Sequence, residues 1–176
     1  MRKLISALLT AATLAGCQLE TRTYCWDNSY SMVLSKNMKL VNYINDQSEY
    51  QFADTARGIT LFVLRDSRSC YDSMAAGVHR EGLSGYADLI TEILHDNSQS
   101  LDIRERRDTV INGMQARYTG ANMLMDSTEH TYIAMCAYQG TQYYYQVYSM
   151  CGALQSAHYS REMAAMVQSL KENIQK

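Results

Sequence analysis

The run YIAMCAYQGTQYYYQVYSM, from Tyr132 to Met150, is the most informative about architecture. Tyr132 to Tyr138 and Tyr143 to Met150 are aromatic, β-favouring runs around Gln139-Gly140-Thr141-Gln142, and both alternating sets of side chains are largely apolar. A strand that is apolar on both faces is covered on both faces, so this hairpin belongs inside a two-sided sheet. A two-residue turn at Gly140-Thr141 would set Gln139 opposite Gln142 and Cys136 opposite Tyr145.

A second hairpin lies just upstream. Asn112-Gly113, between Val110-Ile111 and Met114 to Tyr118, predicts a tight turn in which both central residues take positive φ. The strand entering it, Ser100 to Ile111, carries Asp102, Arg104, Glu105, Arg106, Arg107 and Asp108 on both faces. Such charge cannot be buried unpaired, so the strand is expected at a sheet edge, where it also discourages pairing with another chain. Further upstream, Tyr30 to Leu34, Lys39 to Ile44, Tyr50 to Ala53 and Ile59 to Leu64 read as short strands, the last two joined by a turn over Asp54 to Gly58.

Two helices complete the pattern. Tyr86, Leu89, Ile90, Ile93 and Leu94 form an apolar stripe on a helix over 84–95, capped by Ser84 and stopped by Asp96-Asn97-Ser98. Met163, Met166, Val167, Leu170 and Ile174 form another on a closing helix from Ser160 to Ile174, with Lys171 suited to its C-terminal end. The expected class is α+β: an antiparallel sheet covered by two amphipathic helices in an α/β/α sandwich.

At 176 residues, 47% hydrophobic and 19% charged, the chain supports one domain with a substantial core. A net charge of −2 provides no basic field for a nucleic-acid backbone, and the three arginines of the charged strand are interleaved with three acids; no nucleic-acid partner is expected. There is no proline, so the loops turn on Gly, Asn, Asp and Ser. No nucleophile elbow, P-loop, zinc-protease or EF-hand pattern occurs, and His79, His95, His130 and His158 are scattered. No catalytic residue, metal or cofactor is therefore expected.

Arg2 and Lys3 precede an uncharged stretch, Leu4 to Ala15, that is shorter than the roughly 20 apolar residues of a membrane span. It ends in Leu14-Ala15-Gly16-Cys17, which resembles a bacterial lipobox. The resemblance implies that residues 1–16 are a signal peptide and that Cys17 carries acyl chains such as palmitate on its thiol and its new amino group. Several chains are what make such an anchor stable. Gln18, rather than Asp, resembles the pattern of lipoproteins sent to the outer membrane. Residues 17–28 read as the lipidated Cys and a short tether, and 29–176 as the single globular domain. Without Arg2 and Lys3 the mature chain has an excess of four acidic groups, so attachment falls to the acyl chains rather than to anionic lipid.

Export implies an oxidising compartment, and Cys25, Cys70, Cys136 and Cys151 are an even number, so at least one disulfide is expected. The proposed hairpin register separates Cys136 from Cys151 by about 20 Å along the strand, whereas bridging needs Cα atoms within about 7 Å. That pair is disfavoured, and the other pairings stay open.

The densest aromatic group includes Tyr132, Tyr138, Tyr143 and Tyr145. Cross-strand packing beneath the helices accounts for it, and the functional reading is a partner or ligand surface, with Tyr143 and Tyr145 reaching a groove at the sheet end. The order of elements resembles the PsbP-like family, including the DcrB-like bacterial envelope lipoproteins. The likeness is carried by Tyr50-Gln51-Phe52 with Ile59-Thr60-Leu61-Phe62-Val63, the helix at 84–95, Ile111-Asn112-Gly113-Met114-Gln115-Ala116, the hairpin 132–150 and the closing helix. It implies a small binding or scaffold module near membrane assemblies, without a shared active site. The functional expectation is a non-catalytic envelope lipoprotein that binds a protein partner or small ligand; the alternative is an envelope hydrolase with an unrecognised site.

Overall fold

Both marked hairpins form in the computed structural model, which describes residues 20–48, 50–126 and 128–173. Seven strands make one antiparallel sheet in the spatial order β3 (Lys39–Val41), β4 (Tyr50–Asp54), β5 (Ile59–Ser67), β9 (Tyr143–Gly152), β8 (His130–Gln139), β7 (Met114–Leu124) and β6 (Ser100–Ile111). The charged β6 lies at the edge, and Asn112 and Gly113 take φ values of 50° and 83°. Arg104 pairs with Asp102 at 2.7 Å and Arg107 with Glu105 at 2.6 Å along that edge.

The central strands feed two cores. Ile59, Leu61, Val63, Cys136, Tyr138, Tyr145 and Val147 point to one face, and Phe62, Ile133, Met135, Tyr144 and Tyr148 to the other. Helices α1 (Arg68–Ala75) and α2 (Gly82–Asp96) cover the second face. The first is covered by α3 (Ser156–Val167) together with a small sheet, in the order β1 (Thr21–Trp26), β2 (Tyr30–Ser35), β10 (Lys171–Glu172). The layers are those expected, with three α-helices rather than two among the described residues.

Several local expectations are corrected. Residues 21–26 are strand β1, not tether: Tyr24 and Trp26 turn inward against Phe52 and Tyr50, with ring centroids 4.9 and 4.5 Å apart, while Thr21, Thr23 and Cys25 face solvent. That polar outer face is what makes the segment read as a loop. The expected strand to Ile44 stops at Val41. Helix α2 starts at Gly82 after Glu81, so Ser84 is inside it and accepts from Arg117 instead of capping. The closing helix runs from Ser156 to Val167, and Lys171 sits in β10; Ile174 lies outside the described residues. Leu170 is buried beyond the helix end, which is why the apolar spacing reads as a longer helix.

In the aromatic hairpin the register is shifted by two residues: Gln139 faces Tyr144 and Cys136 faces Val147. Gly140 donates its N–H to the Tyr143 carbonyl at 2.9 Å, leaving Thr141-Gln142 as the turn. A two-residue shift preserves which face each side chain takes. Gly140 is needed for closeness rather than for φ, since a Cβ there would lie 2.7 Å from both Glu172 Oε1 and the Tyr145 ring.

All four described cysteines outside the signal region are free thiols, which corrects the expected disulfide. The reason is layering. Cys25 lies on the outer face of β1, Cys70 is on α1 across the main sheet, and Cys136 and Cys151 point into the first core. Cys151 faces Tyr132, four residues from Cys136 along the same strand, or about 14 Å. Burial pushes the Cys136 thiol up to about 12. Maleimide labelling of the native protein is therefore expected to modify Cys25 and Cys70 and to reach Cys136 and Cys151 only after unfolding, as read by peptide mass.

Candidate functional site

The second face of the sheet is incompletely covered. Helix α2 packs against β8, β7 and β6, and α1 packs at the end of β5, so a cleft of about 700 Å³ stays open between the helices and the strands. Its floor is Phe62, Leu64, Ile133, Tyr148 and Met150, and its α2 wall is Leu89, Ile90, Ile93 and Leu94. Met74, Met123 and Met125 add to the lining, and methionine adapts its shape to different apolar ligands. Ile93, expected in the stripe under the helix, is 50% exposed at the rim, and Met74 is 69% exposed. The volume lies in the usual range for small-molecule sites, about 300–1,000 Å³.

One end of this apolar cleft is polar. Tyr86 donates its hydroxyl to the Asp66 carboxylate, Gln146 donates from Nε2 to Asp66 at 2.9 Å and to the Tyr86 oxygen at 2.7 Å, and Tyr148 donates to Gln146 Oε1 at 2.5 Å. Burial, and then the bond to Asp66, hold the Tyr86 phenol far above its ordinary range. Burial does the same for Tyr148, again reinforced by Asp66. Both phenols thus stay protonated donors, and both point their protons inward to the network. Asp66 is the exposed member and keeps acceptor capacity towards the cleft.

The rims are fixed by local chemistry. The 44–47 loop hangs on the buried Gln51 side chain, whose Oε1 accepts from Ile44 N at 2.6 Å and Asn45 N at 2.9 Å, and whose Nε2 donates to Asn45 O at 2.7 Å. Helix α2 is held to the sheet by Arg117, which donates to Asp88 at 2.8 Å and Asp108 at 2.6 Å. The Arg117 bond holds Asp108 below the usual carboxylate range.

The tyrosines proposed as a surface are placed differently. Tyr132, Tyr138 and Tyr145 are buried under α3 and the small sheet, which corrects the surface reading and leaves the packing one. Their hydroxyls are used internally: Tyr138 donates to Val167 O at 2.6 Å, Tyr145 to Glu172 at 3.0 Å, and Tyr118 and Tyr132 share a contact at 3.4 Å. Tyr143 is half-buried with the Arg65 guanidinium 5.0 Å over its ring. It and Tyr145 do line a hollow at the sheet end, of about 250 Å³, but the Glu172 carboxylate there is already engaged by Tyr145 and Thr141. Cys70 lines the main cleft; Cys17 lies outside the described residues. Among the described residues no cluster of three or more His, Cys, Asp or Glu side chains is arranged to hold a metal.

Sequence reasoning missed Asp66, Tyr86, Gln146 and Tyr148 as a group. A signal was present: Gln146 interrupts the same-face series Tyr144, Tyr148, Met150, and Asp66 ends the series Phe62, Leu64. Only the β5–β9 pairing, with Leu64 opposite Gln146 and Asp66 opposite Tyr144, makes the two neighbours.

This seven-stranded antiparallel sheet, covered by α1 and α2 on one face and by α3 with a small sheet on the other, is a PsbP-like α+β sandwich. Among solved structures it is similar to cyanobacterial PsbP (CyanoP) of Synechocystis, with a TM-score of 0.63 and 9% identity over 93% of this chain and 98% of that one. It is also similar to LpqN of Mycobacterium tuberculosis, a protein involved in cell envelope biogenesis, with a TM-score of 0.52 and 9% identity over 82% of this chain and 83% of that one. No protein-family model and no curated protein sequence matches the chain.

Proposed function

We propose that the chain is a non-catalytic, lipid-anchored module of the bacterial cell envelope, facing the periplasm or the cell surface from the outer membrane, whose cleft binds a small amphipathic ligand. The observation that carries the ligand reading is the cleft itself, apolar along most of its length and lined at one end by the Asp66–Tyr86–Gln146–Tyr148 network. An apolar body would sit against Phe62, Ile93 and the methionines, and a hydroxyl or ammonium head would donate to Asp66. A small ligand suits this concave site better than a protein partner does. Two tyrosines locked as donors and a carboxylate already bonded to both Tyr86 and Gln146 suit recognition better than hydrolysis. The lipobox-like Leu14-Ala15-Gly16-Cys17 supports the anchor, and the envelope role named for LpqN is consistent with the location.

The test uses N-phenyl-1-naphthylamine, an apolar fluorophore, with dodecylamine and dodecanoate as competitors. Fluorescence enhancement by the protein is expected, and Ile93→Asp should weaken it about tenfold, the equivalent of 1.4 kcal/mol, without shifting the melting temperature. Dodecylamine should displace the probe better than dodecanoate, and Asp66→Asn should remove that preference. No enhancement by the unsubstituted protein would overturn the ligand reading. Hydrolysis of ester substrates, abolished by Asp66→Asn, would favour the enzyme instead.

A further inference from the structure

The strand β1 leaves almost no tether, and this orients the domain. Cys17 is three residues from Glu20, so at about 3.6 Å per residue the chain can separate them by no more than roughly 11 Å, whatever its conformation. Thr21 faces Ser35 at the start of β1, and the Glu20 carbonyl accepts from the Lys36 N–H at 2.8 Å. The anchor therefore emerges beside the Ser35–Met38 turn.

A short series of contacts leads from there to an unusual side chain. Ser35 Oγ accepts from Arg57 Nη2 at 3.1 Å, Arg57 is followed by Gly58, and a Cβ on Gly58 would lie 3.3 Å from Gln155 Oε1. Gln155 ends a single helical turn, Ala153–Gln155, whose Leu154 is 98% exposed. It is the most exposed of the large apolar residues described. Met125, 45% exposed, follows β7 at the same end of the sheet, where Leu124 faces His130 and Thr131 faces Gly152.

Resting on the proposed acylation of Cys17, we infer that this end of the domain lies on the bilayer and that Leu154 inserts into it beside the acyl chains. The occupant of the apolar tip is a lipid surface, because the anchor holds that tip within reach of the membrane and its acidic chain has no electrostatic route to it. The apolar stretch of the cleft lined by Met123, Met125 and Met150 then opens towards the membrane, and its Asp66 end points away.

The test is made on the full-length, anchored protein reconstituted into phosphatidylcholine vesicles containing phospholipid brominated on its acyl chains. Leu154→Trp is compared with Val110→Trp, an exposed position next to the Asn112-Gly113 turn at the opposite end, and the unsubstituted protein supplies the background of the buried Trp26. Quenching at 154 at least threefold stronger than at 110 supports the inference. Equal or stronger quenching at 110, in protein that floats with the vesicles and carries acyl mass on Cys17, overturns it and leaves the anchor standing. Protein that neither floats nor carries acyl mass defeats the anchor and the inference built on it.

Discussion

Gly85→Ala is expected to destabilise the domain by about 2–4 kcal/mol, lowering the melting temperature by about 10 °C, although it adds one methyl group to a helix. The added Cβ would sit 1.8 Å from the Arg80 carbonyl oxygen, a backbone atom. That carbonyl cannot swing away, because it accepts the Tyr71 hydroxyl at 2.8 Å, and the Arg80 N–H donates to Ala75 O at 3.2 Å. The loop joining α1 to α2 is thus folded onto the first turn of α2, and an alanine would force the turn and the loop apart. Since α1 and α2 are two walls of the cleft, N-phenyl-1-naphthylamine binding should weaken with stability. Gly77→Ala is the control, because nothing lies within 4 Å of a Cβ there and its backbone is not left-handed. Its effect should stay within about 0.5 kcal/mol. Thermal unfolding followed by circular dichroism measures both; equal melting temperatures for the two variants would show that the Arg80–Gly85 contact is not constraining.

Arg57→Met is expected to cost about 3 kcal/mol, for a different reason. Arg57 donates to Glu162 through both terminal nitrogens at 2.7 and 2.9 Å and to Asp54 through Nε at 2.6 Å. The two carboxylate side chains are only 8% and 5% exposed. Glu162 first, and Asp54 after it, hold the Arg57 proton more firmly than usual despite the desolvation that opposes it. Removing the cation leaves two buried anions facing each other, which is costlier than the pair itself was stabilising. Urea unfolding of both proteins at pH 7 tests this; a deficit below about 1 kcal/mol, the value of an exposed ion pair, would mean that the two carboxylates are not what the guanidinium stabilises.

This ion cluster joins the β4–β5 turn to α3 and, through Ser35, to β2, so it ties the small sheet to the main one. Nothing in the local sequence announces it, since Asp54 and Arg57 read as turn residues and Glu162 is far away in the chain.

Three features follow from neighbouring residues alone. The edge position of β6 follows from its alternating charges, the Asn112-Gly113 turn from the positive φ it demands, and the central placement of β8 and β9 from their two apolar faces. The α+β sandwich follows from those together. Other features arise only where distant segments meet. Tyr24 and Trp26 become strand only because Phe52 and Tyr50 offer rings to pack on, and α3 ends at Val167 although Leu170 continues its apolar spacing. Tyr132, Tyr138 and Tyr145 are buried because α3 and β1–β2 cover that face, and the cleft is open because α2 leaves part of the other face uncovered. Asp66 and Gln146 are 80 residues apart and meet only through the β5–β9 register. Periodicity along the chain sets which face a side chain takes, but what that face meets is set by long-range packing, and the candidate site is made almost wholly of such meetings.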